Sequence, residues 1–144
     1  MTDLTHFYHV YTAGDWHEPV EEHAKALADS GLREHLTGFY LGIVGDNDTG
    51  PVEVFRDYGL DPFVRAHTSH AWEQLTLGAL KRHVSVNHGY VFYAHTKSAH
   101  DPAEINVLWR KDMCYQNVIR WRECVEKLDE GYDLVGAHYI DDGH

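Results

Sequence analysis

Basic residues are scarce in this chain. Of its 144 residues, 12 are lysine or arginine against 23 aspartate or glutamate, and the formal net charge is −11. A general DNA- or RNA-backbone binder needs a basic surface to displace counterions, so that class is excluded, though a local basic pocket for one phosphate is not. Cysteine is scarcer still, with only Cys114 and Cys124. Both fall in one predicted helix, where about 15 Å of helical rise separates them. They cannot pair with each other, so the expectation is reduced thiols in a cytoplasmic protein. No apolar run is long enough to cross a bilayer, and the polar, acidic N-terminus lacks the apolar segment of a secretory signal.

Several short motifs are also missing. No Gly-x-x-x-x-Gly-Lys-Ser/Thr loop and no Gly-x-Gly-x-x-Gly occurs, so neither an ATPase nor a dinucleotide oxidoreductase is indicated. There is no Gly-x-Ser-x-Gly elbow and no Cys-x-x-Cys. Histidine is abundant, at thirteen. The pairs His6/His9, His67/His70 and His95/His100 nevertheless lack the i, i+4 spacing of a zinc-binding helix. His6 and His9 would face opposite sides of a strand. No metal and no cofactor is expected; only ligands assembled from distant loops escape this reading.

What is present reads as one α/β domain over residues 1–144. Phe7–Tyr11 suits a strand, and Pro19 fits the first turn of a helix carrying Val20, Ala24 and Leu27, which Gly31 ends. Thr37–Val44 is a second strand, followed by the turn Gly45-Asp-Asn-Asp-Thr-Gly-Pro51. Residues 52–67 are ambiguous, with Val52–Phe55 as a possible short strand. Ser69 is placed to cap a helix carrying Trp72, Leu75 and Ala79. Tyr90 opens a buried strand that runs into His95-Thr96-Lys97. A further helix sets Cys114, Val118, Trp121, Val125 and Leu128 on one face, with Arg110 and Lys111 off that stripe. Tyr132–Tyr139 reads as a last strand. The alternation of strands and helices predicts a mostly parallel sheet with right-handed crossovers and helices on both faces.

In open parallel sheets, ligands sit beyond the carboxyl ends of the strands. Thr12, Asp46 and Asp48, His95, Thr96 and Lys97, and Asp141 and Asp142 all follow predicted strands. Together they suit a ligand with a phosphate and a polar base or sugar. Lys97 and Arg110 would offset phosphate charge, while Asp46 or Asp48 would accept hydrogen bonds. Each has a plainer reading. Asp46-Asn47-Asp48 is turn chemistry first, Lys97 is an ordinary solvated lysine, and Trp72, Trp109 and Trp121 are packing aromatics. Glu73 reads as a surface charge near a helix N-terminus.

The order of motifs resembles a family of glycosyltransferase-like proteins of bacteria and bacteriophages. The resemblance covers nearly the whole chain. It rests on the Phe7-Tyr-His-Val-Tyr11 strand, the Pro19–Leu27 helix, the Leu41–Gly45 strand, Glu73-Gln-Leu-Thr-Leu77, Tyr93-Ala-His-Thr-Lys97, Trp109-Arg-Lys-Asp-Met113 and Arg120-Trp121. The Tyr-Ala-His-Thr-Lys and Trp-Arg-x-x-Met pair is the more specific part. The resemblance implies a GT-A-like, Rossmann-type fold that binds a nucleotide-diphosphate sugar, with Val44–Asp48 touching base and ribose. Where such folds carry a metal-binding Asp-x-Asp, this chain has His95-Thr-Lys97, so Lys97 would stand in for the metal. Relatives usually continue into a Gly-Asn-Phe/Tyr-Trp-Trp segment, whereas this sequence ends at His144, which reads as a form shortened at its C-terminus.

Two functions follow as expectations. One is transfer of a sugar from a nucleotide donor to an unidentified acceptor hydroxyl. Lys97, His95 and Arg110 would then stabilise the leaving diphosphate, and Asp141 or Asp142 would act as base. The other is a non-enzymatic nucleotide or nucleotide-sugar binding module, of the kind a phage accessory protein would be. A histidine-rich metallohydrolase is a third reading, and it would require a stoichiometric metal.

Overall fold

The first strand is buried on both faces, as a central parallel strand is, with Thr5, His6 and His9 set among its apolar and aromatic residues. In the computed structural model, which describes residues 2–96 and 103–136, this strand is β1, Leu4–Tyr11. It pairs in parallel with β2, Gly38–Val44, on one side and with β4, Tyr90–His95, on the other. β3, Phe63–Thr68, pairs in parallel with β2, so the sheet order is β3-β2-β1-β4. The expected parallel, Rossmann-like α/β arrangement is therefore present.

Helices cover both faces. α1, His17–Asp29, and α2, Gly50–Asp57, pack on the face that receives the even-numbered residues of β1. Tyr8 stacks on His23 of α1 and meets Phe55 of α2 edge-on. α3, Gln74–Val84, crosses the opposite face, where Phe7 meets His83. The chain thus runs from β1 outward to β3 and then crosses back to β4. This leaves a topological switch point between the carboxyl ends of β1 and β4.

After β4 come α4, Glu104–Cys114, a π turn over Tyr115–Ile119, and α5, Trp121–Asp129. Val118 and Trp121 are buried against the α1 side, and Trp121 Nε1–H donates to Ser30 O at 3.1 Å, holding the end of α1. The expected apolar stripe from Cys114 to Leu128 survives, but the helix carrying it is interrupted by the π turn. Arg110 does not lie off the stripe: it is buried, one helical turn before Cys114.

Three further expectations are corrected. Val52–Phe55 is helical, not a strand, because Gly50-Pro51 starts α2 and buries Phe55 one turn later. The strand that follows is Phe63–Thr68, inside the stretch that reads ambiguously. Ser69 does not cap α3; the helix begins at Gln74, with Glu73 at the cap position and Trp72 outside it. Of the expected last strand, 132–136 forms none, and 137–139 lies outside the described residues. Among the described residues no helix is long and apolar enough to cross a membrane.

Candidate functional site

The carboxyl ends of β1, β2 and β3 are stitched together by short backbone bonds. Thr12 N–H donates to Val44 O at 2.8 Å, and Gly45 N–H donates to Thr68 O at 2.9 Å. Gly45 has φ of 124°, and a Cβ there would come within 2.1 Å of Thr12 Oγ1. Only glycine allows the β1 and β2 loops to approach this closely. Beyond these ends opens a cleft of about 850 Å³. Thr12, Asp46, Asn47, Ser69, His70 and Trp72 line it.

Each side chain in the β2–α2 loop has a definite role. Asn47 Oδ1 accepts from Gly50 N–H at 2.9 Å, an Asx turn that starts α2. His67 Nε2–H donates to Gly45 O at 2.7 Å, and its Nδ1 lies 3.9 Å from Asp48 Oδ2. Asp48 is thereby held at the rim by β3. Asp46 is exposed and makes no hydrogen bond or ion pair among the described residues. It is a free carboxylate in the cleft, and among the described lining residues there is no lysine or arginine beside it. Trp72 stands 77% exposed at the rim, so it is not a packing aromatic.

His95 and Thr96 end β4 at the switch point. Thr96 is buried; its N–H donates to His9 O at 3.0 Å and its Oγ1 accepts from Tyr11 N–H at 3.0 Å. It therefore locks β4 to β1. His95 sits in register with His9, on the α3 face of the sheet. His9 Nδ1 and Thr76 Oγ1 are 2.7 Å apart, and Tyr93 O–H donates to the Glu73 carboxylate. The Tyr93 and His95 rings stack with centroids 6.4 Å apart. Burial lowers the His9 pKa below the ordinary imidazole value, with nearby Glu73 opposing and His95 adding. Burial, then the bond to Glu73, pushes the Tyr93 phenol far up.

Arg110 is elsewhere. Its Nη2 donates to Glu22 at 2.9 Å and Glu18 at 3.3 Å on α1, and its buried Nε finds no acceptor among the described residues. It lines a separate cavity of about 90 Å³, with Tyr8, Glu22, His23, Phe92 and Cys114. Beside that cavity lies a buried histidine pair. His6 Nδ1–H donates to Phe92 O at 3.0 Å, so its Nε2 lone pair accepts from His23 Nε2–H at 2.8 Å. Burial, partly offset by the Phe92 carbonyl, lowers the His6 pKa to about 4, and burial holds His23 well below its usual value.

Of the residues expected at the site, Thr12 and Asp46 meet in the cleft and Asp48 borders it. His95 and Thr96 close the neighbouring switch point, and Arg110 belongs to the α1–α4 contact. Lys97, Asp141 and Asp142 lie outside the described residues. The sequence reading missed His70 and Trp72 as cleft groups, His67 as the anchor of the β2–α2 loop, and His9, Thr76 and Tyr93 as partners at the switch point. The i, i+3 spacing of Glu73 and Thr76 was the available signal, since it puts both on one helix face. Among the described residues no group of three or more His, Cys, Asp or Glu side chains is arranged to hold a metal ion. Compared with protein-family models, curated proteins and solved structures, the chain matches none at a significant level.

Proposed function

We propose that this chain binds a nucleotide-diphosphate sugar across the carboxyl edge of its sheet and transfers the sugar to an acceptor hydroxyl. The observation that carries this reading is the cleft at the ends of β1, β2 and β3, lined by Thr12, Gly45 and Asp46, whose carboxylate makes no hydrogen bond or ion pair among the described residues. A free carboxylate is an acceptor for ribose hydroxyls or for a base N–H. The Trp72 face offers a stacking surface.

The Asp46 carboxylate in the lining suits the nucleoside end of the ligand and disfavours the diphosphate beside it. The diphosphate then extends over β1 toward the switch point, the region where ligands of such sheets gather. Lys97 follows Thr96 directly in sequence, and Thr96 is fixed by two hydrogen bonds to β1. A lysine in that sequence position supports a cationic partner for the diphosphate. The resemblance to glycosyltransferase-like proteins, and the GT-A-like fold which that resemblance implies, support this orientation. A cytoplasmic location fits the free thiols of Cys114 and Cys124.

The test is calorimetry with UDP, GDP, ADP and dTDP and their hexose conjugates. Binding of at least one of them is expected, and Asp46→Ala should weaken it by about 1.5–3 kcal/mol, as for a hydrogen bond to a charged group. If no nucleotide binds, or if Asp46→Ala leaves affinity unchanged, the proposed site is wrong.

A further inference from the structure

The switch point carries a second group of polar side chains that the nucleoside cleft does not use. Glu73 stands at the cap of α3, half-buried, directly after the rim residue Trp72. Tyr93 on β4 donates its hydroxyl to one oxygen of this carboxylate. The carboxylate makes no other hydrogen bond among the described residues. His9 on β1 and His95 on β4 flank it, close enough that Glu73 and His95 both act on the charge of His9. His9 is in turn fixed by Thr76, one turn into the same helix. Tyr11, two residues beyond His9 on the same side of β1, lines the cleft. The cluster therefore adjoins the cleft from two directions, through Trp72–Glu73 and through His9–Tyr11.

A half-buried carboxylate, oriented by a tyrosine and adjacent to the expected path of the ligand, has the makings of a proton acceptor. Alternatives in the described site are poorly placed for that task. Asp46 faces the nucleoside end, and Asp48 is engaged with His67. Resting on the proposed function above, we infer that Glu73 is the general base for the attacking acceptor hydroxyl, with Tyr93 as its positioning residue.

The acceptor O–H bond breaks and its proton passes to a Glu73 carboxylate oxygen. The freed oxygen electron pair forms the new bond to the anomeric carbon. The bond from that carbon to the diphosphate oxygen breaks, and its electron pair leaves with the nucleoside diphosphate. No oxidant, reductant or further reactant is needed. Tyr93, whose phenol is held protonated by burial and by Glu73, stays a donor throughout.

The experiment measures two quantities on the full chain. One is affinity for UDP-, GDP-, ADP- and dTDP-hexoses by calorimetry. The other is release of nucleoside diphosphate from the bound donor, with glycerol as a generic hydroxyl acceptor. Glu73→Gln should keep donor affinity within about twofold and lower the release rate by about 100-fold or more, the usual weight of general-base catalysis. Tyr93→Phe should lower the maximal release rate while donor affinity and the KM for glycerol stay within about twofold, because the carboxylate loses its orienting donor; loss of a purely structural contact would leave the maximal rate unchanged or disturb affinity and rate together. Release by Glu73→Gln within a few-fold of wild type overturns the inference. So does wild-type protein that binds a donor and releases no nucleoside diphosphate, an outcome that leaves the binding reading standing. Failure to bind any donor overturns the reading beneath it, and this inference with it.

Discussion

Thr76 on α3 reaches His9 on β1 at 2.7 Å across the space above Gly42, where a Cβ would come within 1.8 Å of the Thr76 oxygen. The absence of one side chain on β2 thus lets a helix on one face bond a strand two chain crossings away. That contact fixes the first turn of α3, and with it the Ser69–Trp72 wall of the cleft.

Gly42→Ala should therefore destabilise the fold by about 1–3 kcal/mol, the usual cost of forcing an extra methyl into a packed site. The same change in a Thr76→Ala background should cost less, because the nearest clashing atom has gone. Urea melts of the two single variants and the double variant check this. Additive costs would mean that the close approach is not what makes glycine necessary.

The buried His6–His23 pair sets an acid limit. Both rings are neutral in the folded protein, and His6 has its folded pKa at about 4, below the ordinary 6.5. Above pH 6.5 neither state takes up a proton, so the pair exacts no penalty. As pH falls from 6.5 toward 4, the unfolded chain protonates first and stability declines. His6 alone accounts for a loss of about 3 kcal/mol across that window, at 1.36 kcal/mol per pKa unit. His23 and His9, shifted in the same direction, add to it. Unfolding free energy measured by urea at pH 7, 6, 5 and 4.5 should fall steadily; a flat profile between pH 7 and 5 would contradict the buried neutral pair.

The two carboxylates on Arg110 are unequal. Glu22 is 25% exposed and Glu18 is 77% exposed, while the Arg110 side chain is 9% exposed. Glu18→Ala should change stability by less than about 0.5 kcal/mol, as exposed ion pairs do. Glu22→Ala should cost about 1–3 kcal/mol, because it leaves a buried cation without its better partner. Equal effects in thermal melts would mean that the guanidinium is more hydrated than its burial implies.

Much of the fold can be read from the chain because β1, β2 and β4 are punctuated by Gly and Pro turns and β1 is apolar on both faces. β3 is hidden for a physical reason. It is an edge strand whose residues alternate between exposed and half-buried, with Phe63 on the exposed side at 62% and Arg65 and His67 interleaved. Trp72 falls at helical spacing with Leu75 and Ala79, yet it stands at a rim, which periodicity does not distinguish from packing. Thr12 and Asp46 are legible as site residues from the strand-end rule alone. The Tyr93–Glu73 and His9–Thr76 bonds span 20 and 67 residues of sequence, and they depend on strand register and, for His9–Thr76, on Gly42 of the neighbouring strand. No local pattern contains that information.

The most direct measurement of the nucleotide site is a backbone-amide NMR titration with the nucleoside diphosphate that binds best by calorimetry. Shifts should concentrate at Thr12, Gly45, Asp46, Asn47 and His70, which border the cleft, and extend to Thr96 at the switch point. Amides of Glu22, Met113 and Cys114 around the Arg110 cavity should stay in place. Shifts confined to the Arg110 cavity, with the cleft amides unmoved, would contradict a nucleotide site at the carboxyl ends of β1, β2 and β3.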